Sequence, residues 1–220
     1  MSHPLVSMYK AAFEQLGPQH WWPGETPFEV CVGAILTQNT NWKNVERAIG
    51  NLKERNLLDP KKLLALPPRE LAQLIRPAGY FNIKTKRLRN FLKFLQEEYG
   101  GDLDRMSDER TETLREKLLS VSGIGRETAD SIVLYAAQKP LFVVDAYTKR
   151  ILLRHGLIDE EADYDRIQEF FTDHLETDLG IFNEYHALIV NIGKNFCKKR
   201  PDCERCPWKK FLPEGGVREA

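Results

Sequence analysis

The chain has 220 residues, 42% apolar and 29% charged, with 32 Lys and Arg matched by 32 Asp and Glu. That length holds one large or two small domains, and the composition excludes a disordered chain and a fibre. No apolar run approaches the ~20 residues of a membrane helix, the start Met-Ser-His-Pro-Leu-Val lacks a charged-then-apolar leader, and zero net charge excludes a uniformly positive coat for nucleic acid. An intracellular protein with no membrane partner is expected.

The charges are segregated. Lys84, Lys86, Arg87, Arg89 and Lys93 follow one another with no acid among them, and Lys194, Lys198, Lys199 and Arg200 form a second basic cluster, whereas Arg166 is the only Lys or Arg between Asp159 and Asp178. This predicts either one basic face with an acidic back or ordinary solvated surfaces.

In chain order, Leu5, Met8, Tyr9, Ala12, Phe13 and Leu16 mark a helix over residues 4–16 that Gly17-Pro18 stops. Trp21 and Trp22 follow beside two breakers; adjacent side chains cannot share one helix face, so at least one is expected to turn toward a cleft or another domain, unless both pack under a loop. Residues 28–36 read as a strongly apolar helix with Cys31 as a small core residue. Thr40 or Asn41 then caps a helix from Trp42 to Leu52. A short connection and helix occupy 60–75, and a longer helix runs from Lys84 to Tyr99, ended by Gly100-Gly101. Ser107 is placed to cap residues 108–120. Further helices are expected over 146–153, 164–175 and 181–195, and no stretch alternates as a strand does, so the fold class is all-α.

Between two of these helices, Gly123 and Gly125 bracket Ile124. Two glycines permit positive φ and clear side chains from a turn, which predicts helix, tight turn, helix. The N–H groups opening the second helix would then lie outward, where a phosphate oxygen can be held without reading sequence. Near the C-terminus, Cys197, Cys203 and Cys206 fall close together. In a reducing compartment such spacing points to metal more than to disulfides.

Val121 to Asp130 resembles the hairpin of the helix-hairpin-helix DNA glycosylases, and Val143-Val144-Asp145 falls 20 residues after Gly125, where that superfamily keeps its catalytic aspartate. The resemblance runs over most of the chain. It implies two helical domains, residues 24–138 carrying the hairpin and residues 1–23 plus 139–220 carrying the cysteine loop, with Asp145 at the cleft between them. It further implies a monomer that acts on double-stranded DNA containing damaged bases, in the cytoplasm and on the nucleoid. DNA contacts fall on Gly123, Gly125, Arg126 and Thr128. Gln38 inherits the family's wedge into the duplex, with helix capping as the alternative role.

The cysteine tail is similar to the one with which endonuclease III holds a [4Fe–4S] cluster, but its first gap is one residue shorter and Leu212 stands where the fourth cysteine belongs. The three-cysteine set Cys197, Cys203 and Cys206 is incomplete for such a cluster, which uses four thiolates. Cluster, zinc and a degenerate site held by packing all stay open. Any of them would brace a basic loop against DNA.

Endonuclease III-type enzymes that cut the strand use a hairpin lysine as amine nucleophile, and the matching position here is Glu127, which cannot form a Schiff base. Asp145 alone suits a monofunctional glycosylase. Trp21, Trp22 and Trp42 offer faces that attract a stacked cation by roughly 0.5 to 2 kcal/mol, which fits purines alkylated at a ring nitrogen. The Trp21-Trp22-Pro23, Leu36-to-Thr40 and Arg76-to-Asn82 segments together resemble the bacterial 3-methyladenine DNA glycosylase branch more than endonuclease III itself. By that resemblance Trp42 and one of Trp21 or Trp22 sandwich the flipped base, with Pro23 closing the pocket. The rival readings are a bifunctional glycosylase and lyase for oxidised pyrimidines, and a DNA-binding or redox-responsive module without catalysis.

Overall fold

The computed structural model describes residues 3–218, and among them no strand is present. The chain divides into two compact units, Pro23–Lys139 and Met1–Trp22 with Pro140–Ala220.

The Pro23–Lys139 unit is built around α2, Pro27–Leu36. Thr26 caps it by accepting from the Glu29 N–H at 3.2 Å, and every residue after Pro27 is buried. A helix apolar all round belongs inside. Its one buried acid, Glu29, meets Lys53 at 2.9 Å. Against it pack α3 (Trp42–Glu54) and α6 (Phe81–Tyr99), and α4 (Pro60–Ala65) and α5 (Pro68–Leu74) pack on α6. The cap of α3 is Asn41, whose side chain takes the Asn44 N–H at 3.1 Å. Gly100, at φ 67°, ends α6 with its N–H returned to Gln96 and Leu95 carbonyls, the usual left-handed stop.

Two expected boundaries are corrected. The long helix begins at Phe81, three residues before Lys84, directly after Tyr80 in the left-handed region. The helix expected over 108–120 is α8 (Thr111–Ser120), which starts three residues later, and a separate short helix, α7 (Leu103–Asp108), precedes it. Ser107 lies inside α7 and caps nothing: Asp102 caps α7, accepting from the Asp104 and Arg105 N–H groups at 2.9 and 3.3 Å, and no side chain caps α8.

After the hairpin come α9 (Arg126–Ser131) and a π-helical turn, Ile132–Ala136, all of whose residues are buried. Asp130, fully buried, accepts from Arg115 Nε at 2.7 Å and from its terminal nitrogen at 3.3 Å. This fork joins α8 to α9 across the turn, the geometry in which arginine and carboxylate bind best.

The other unit holds α1 (Pro4–Leu16), α10 (Ala146–Arg154), α11 (Tyr164–Thr172) and α12 (Leu179–Asn195). Phe142 stacks on Phe171 at 3.8 Å and meets Phe182 edge-on at 5.5 Å. Tyr185 donates to the Leu5 carbonyl at 2.9 Å and Trp208 to that of Met8 at 2.8 Å. The C-terminal loop is thereby tied to α1. At the α10–α12 contact a Cβ on Gly193 would stand 2.4 Å from the Tyr147 ring, so only glycine lets these helices approach. No helix among the described residues is long and apolar enough to cross a membrane.

Candidate active site

Asp145 follows the buried run Phe142-Val143-Val144 and is the N-cap of α10. Its Oδ1 accepts from the Thr148 N–H at 2.7 Å and from the Thr148 hydroxyl at 2.8 Å. The Asp145 N–H returns to the same hydroxyl at 3.4 Å, closing a capping box. Oδ2 instead faces the Nε2 of His186 on α12, 3.7 Å away. Burial resists ionisation of this carboxyl, but the imidazole and the two Thr148 donors outweigh it and hold its pKa below the ordinary carboxylate value. Asp145 is therefore an anion at neutral pH. It is a group that attracts developing positive charge, not one that delivers a proton.

Trp21 and Trp22 lie outside helices, half-buried, with ring centroids 5.5 Å apart at 62°, edge to face. The pair does not form a parallel-walled slot by itself. Pro23 next to them is exposed, and Trp42, half-buried, is the first residue of α3 in the other unit.

The hairpin uses its glycines differently from expectation. Gly123 has φ +100°, and a Cβ there would fall 2.3 Å from Cγ of Arg87. Gly125 has φ −95° and caps α9 in extended backbone with nothing within 4 Å of a built Cβ. Only Gly123 needs the left-handed region; Gly125 keeps the front of α9 clear. Arg126 and Glu127 are exposed there, while Thr128 is buried.

Gln38 joins this hairpin. Its Nε2 donates to the Gly123 carbonyl at 3.1 Å and to Thr128 Oγ1 at 2.9 Å, and its Oε1 accepts from Arg87. The structure thus brings together Gln38, Gly123 and Thr128, with Arg87 as a member that sequence reading missed. In the basic run around it Lys86 and Lys93 are exposed, while Lys84, Arg87 and Arg89 make bonds within the protein. Lys84, 1% exposed, donates to the Leu36 and Ala78 carbonyls at 2.9 and 2.7 Å, and burial, with the nearby Arg87, pulls its amine down to about 8. Arg89 donates to the Leu64 and Leu66 carbonyls. A basic face does not follow from that cluster, whereas Lys194, Lys198, Lys199 and Arg200 are exposed.

Cys197, Cys203 and Cys206 line one cavity of about 10 Å³ with Arg154, His155 and Leu212, room for about one water molecule. Arg154 donates to Cys197 Sγ at 3.3 Å and to the Lys198 carbonyl at 2.6 Å. Burial pushes the Cys206 thiol up to about 11. Among the described residues no group of three or more His, Cys, Asp or Glu side chains is arranged to hold a metal ion. The donor set does not fit a four-thiolate cluster: the fourth position is the apolar Leu212, and an arginine occupies the side of Cys197.

His186 was missed as well. It sits in the apolar stretch Ala187-Leu188-Ile189-Val190, where an imidazole is out of place, but its partner lies 41 positions earlier and only the α10–α12 packing joins them.

Residues 32–176 match the family model described as HhH-GPD superfamily base excision DNA repair protein. The protein "Putative DNA repair glycosylase MJ1434" of Methanocaldococcus jannaschii is 53% identical over 208 residues, 94% of each chain. Endonuclease III of Thermotoga maritima is 30% identical over 181 residues, 82% of this chain and 79% of that one. Among solved structures, the H. pylori 3-methyladenine DNA glycosylase MagIII bound to 1,N6-ethenoadenine aligns with a TM-score of 0.73 at 29% identity, covering 86% of this chain and 95% of its own. With a hairpin braced by Gln38, an ionised aspartate opening the helix 20 residues on, and likeness of this extent, the chain belongs to the HhH-GPD superfamily of base excision DNA repair proteins and is a DNA glycosylase.

Proposed function

We propose that this glycosylase is monofunctional and releases purines alkylated at a ring nitrogen, 3-methyladenine among them, from double-stranded DNA. The observation that carries the reading is the state of Asp145: an anion bracketed by Thr148 and His186, with no proton to give. A base that must be protonated before it leaves would find no acid in this residue. An N-alkylated purine already carries positive charge and needs none. Its similarity to the H. pylori enzyme, described as a 3-methyladenine DNA glycosylase, supports the same choice.

In this mechanism the target base leaves the stack at a cost of a few kcal/mol, least for damaged bases. Gln38 fills the gap it vacates. Trp21, Trp22 and Trp42 are the indoles that can stack on the cationic purine, with Pro23 beside the first two in sequence. The C1′–N bond then breaks with both electrons going to the base, which becomes neutral. Positive charge appears on the sugar, where Asp145 stabilises it. Water adds at C1′, and its proton passes to Asp145 or to solvent. Gly123, Gly125, Arg126 and Thr128 serve the phosphate grip, and Gln38 gives up its bonds to Gly123 and Thr128 when it enters the duplex. Glu127, standing where a lysine serves the strand-cutting relatives, supplies no amine nucleophile. The three-cysteine cavity takes no part in these steps.

The test is chromatography of bases released from methylated duplex DNA. Wild type is expected to release alkylated purines, and Asp145→Asn, which keeps a capping side chain, to do so at least about 100-fold more slowly. Equal release from both would refute the role of Asp145. Strand cleavage at abasic sites that persists in Asp145→Asn would instead favour the bifunctional reading.

A further inference from the structure

The proposed reaction leaves one group at its centre without a task. His186 is 4% exposed, in the middle of α12, with Nε2 against Oδ2 of Asp145. The two oxygens of that carboxylate are held in different ways. Oδ1 takes two donors from Thr148 and is committed to starting α10. Oδ2 has the imidazole at 3.7 Å, beyond direct hydrogen-bond length but close enough for strong electrostatic contact in a dry site.

That division matters for the chemistry. An ordinary N-cap aspartate needs only Thr148, and a carboxylate oxygen saturated by short donors has little capacity left for water or for a sugar cation. The imidazole stabilises the anion at a distance that leaves acceptor capacity on Oδ2. We infer that His186 is a positioning residue for the glycosidic step: it fixes the orientation and charge of Asp145 through Oδ2, so that this oxygen meets the water and the sugar. The inference rests on the assignment of Asp145 above. Nε2 of His186 faces the one carboxylate oxygen that the cap does not use.

The experiment is a double-mutant cycle on the full chain, with His186→Ala, His186→Gln, Asp145→Asn and each pair, read as single-turnover release of methylated purines from duplex DNA at saturating enzyme, alongside DNA affinity. His186→Ala is expected to slow release by about 10- to 100-fold, the scale on which outer partners of a reacting group act, with affinity changed less than about twofold. His186→Gln, which keeps a donor, recovers part of the rate. In the Asp145→Asn background His186→Ala has almost no further effect, because the residue acts through the missing carboxylate. Equal losses in both backgrounds, or no loss with Asp145 intact, overturn the inference while leaving Asp145 in place. Asp145→Asn as active as wild type overturns the reading beneath it. Should His186→Ala not fold, His186→Gln in the two backgrounds carries the same decision.

Discussion

The hairpin and the cysteine loop are both short motifs marked by a repeated residue type, and they are held together by opposite means. At the hairpin the motif residues themselves make the structure. Gly123 adopts a backbone that other residues resist, its carbonyl receives Gln38, and Asp130 receives Arg115. In the cysteine loop the motif residues line a small cavity, while outsiders do the holding: Arg154 through Cys197 and the Lys198 carbonyl, and Trp208 through Met8. A motif whose logic is backbone geometry is complete within the chain. One whose logic is ligation depends on every donor being present, and here Leu212 breaks it.

That contrast can be attacked at the hairpin first, where the largest effect is expected. Gly123→Val puts a branched side chain at φ +100° into the stem of Arg87, and should cost about 3 kcal/mol in a denaturant melt. Gly125→Ala should change stability by less than about 0.5 kcal/mol, since its φ is ordinary and its surroundings are open, while weakening binding to undamaged duplex. A substantial loss of stability at Gly125 would show that the two glycines share one structural role.

The cysteine loop should respond less, and to a residue outside the motif. Arg154→Met leaves the Lys198 carbonyl without its donor and should cost about 2 kcal/mol, with faster labelling of Cys203 and Cys206 by a thiol reagent. If Cys203→Ser destabilised the protein more than Arg154→Met, the loop would be held by its cysteines after all.

The smallest effect concerns Lys84. Its folded pKa of about 8 lies below the ordinary 10.5, so between those values the unfolded chain binds more protons and stability rises with pH. The gain over the first pH unit above 8 should be on the order of 1 kcal/mol, and Lys84→Met should lose the pH dependence. A flat profile for wild type would mean that the buried amine titrates normally.

The fold was legible wherever its cause is local. Apolar spacing and a cap drew α1, α2 and α3 nearly to the residue, with Asn41 as the cap. Ser107 was read as a cap but lies inside α7, which Asp102 starts, and α8 begins at Thr111 without a side-chain cap, so no capping residue marked the break. In the basic run one member, Lys84, was not legible for a physical reason. Lys84 shares the apolar face of α6 with Leu88 and Leu95, so its charge belongs to the interior, but a count of positive residues cannot see direction. At the candidate site, Asp145 was picked out by resemblance, since the family keeps an aspartate at that interval after the hairpin. His186 and Arg87 were not, since each meets its partner only through the packing of distant helices.

Asp145 also starts α10, and this double employment has an architectural result. The anion proposed to react is the cap of a helix, so any shift of α10 along the glycine-wide seam at Gly193 is transmitted to it with no flexible arm to absorb the displacement. Substitutions at that seam, well away from the acid in sequence, would be felt as a mistuned reaction before they were felt as an unstable protein.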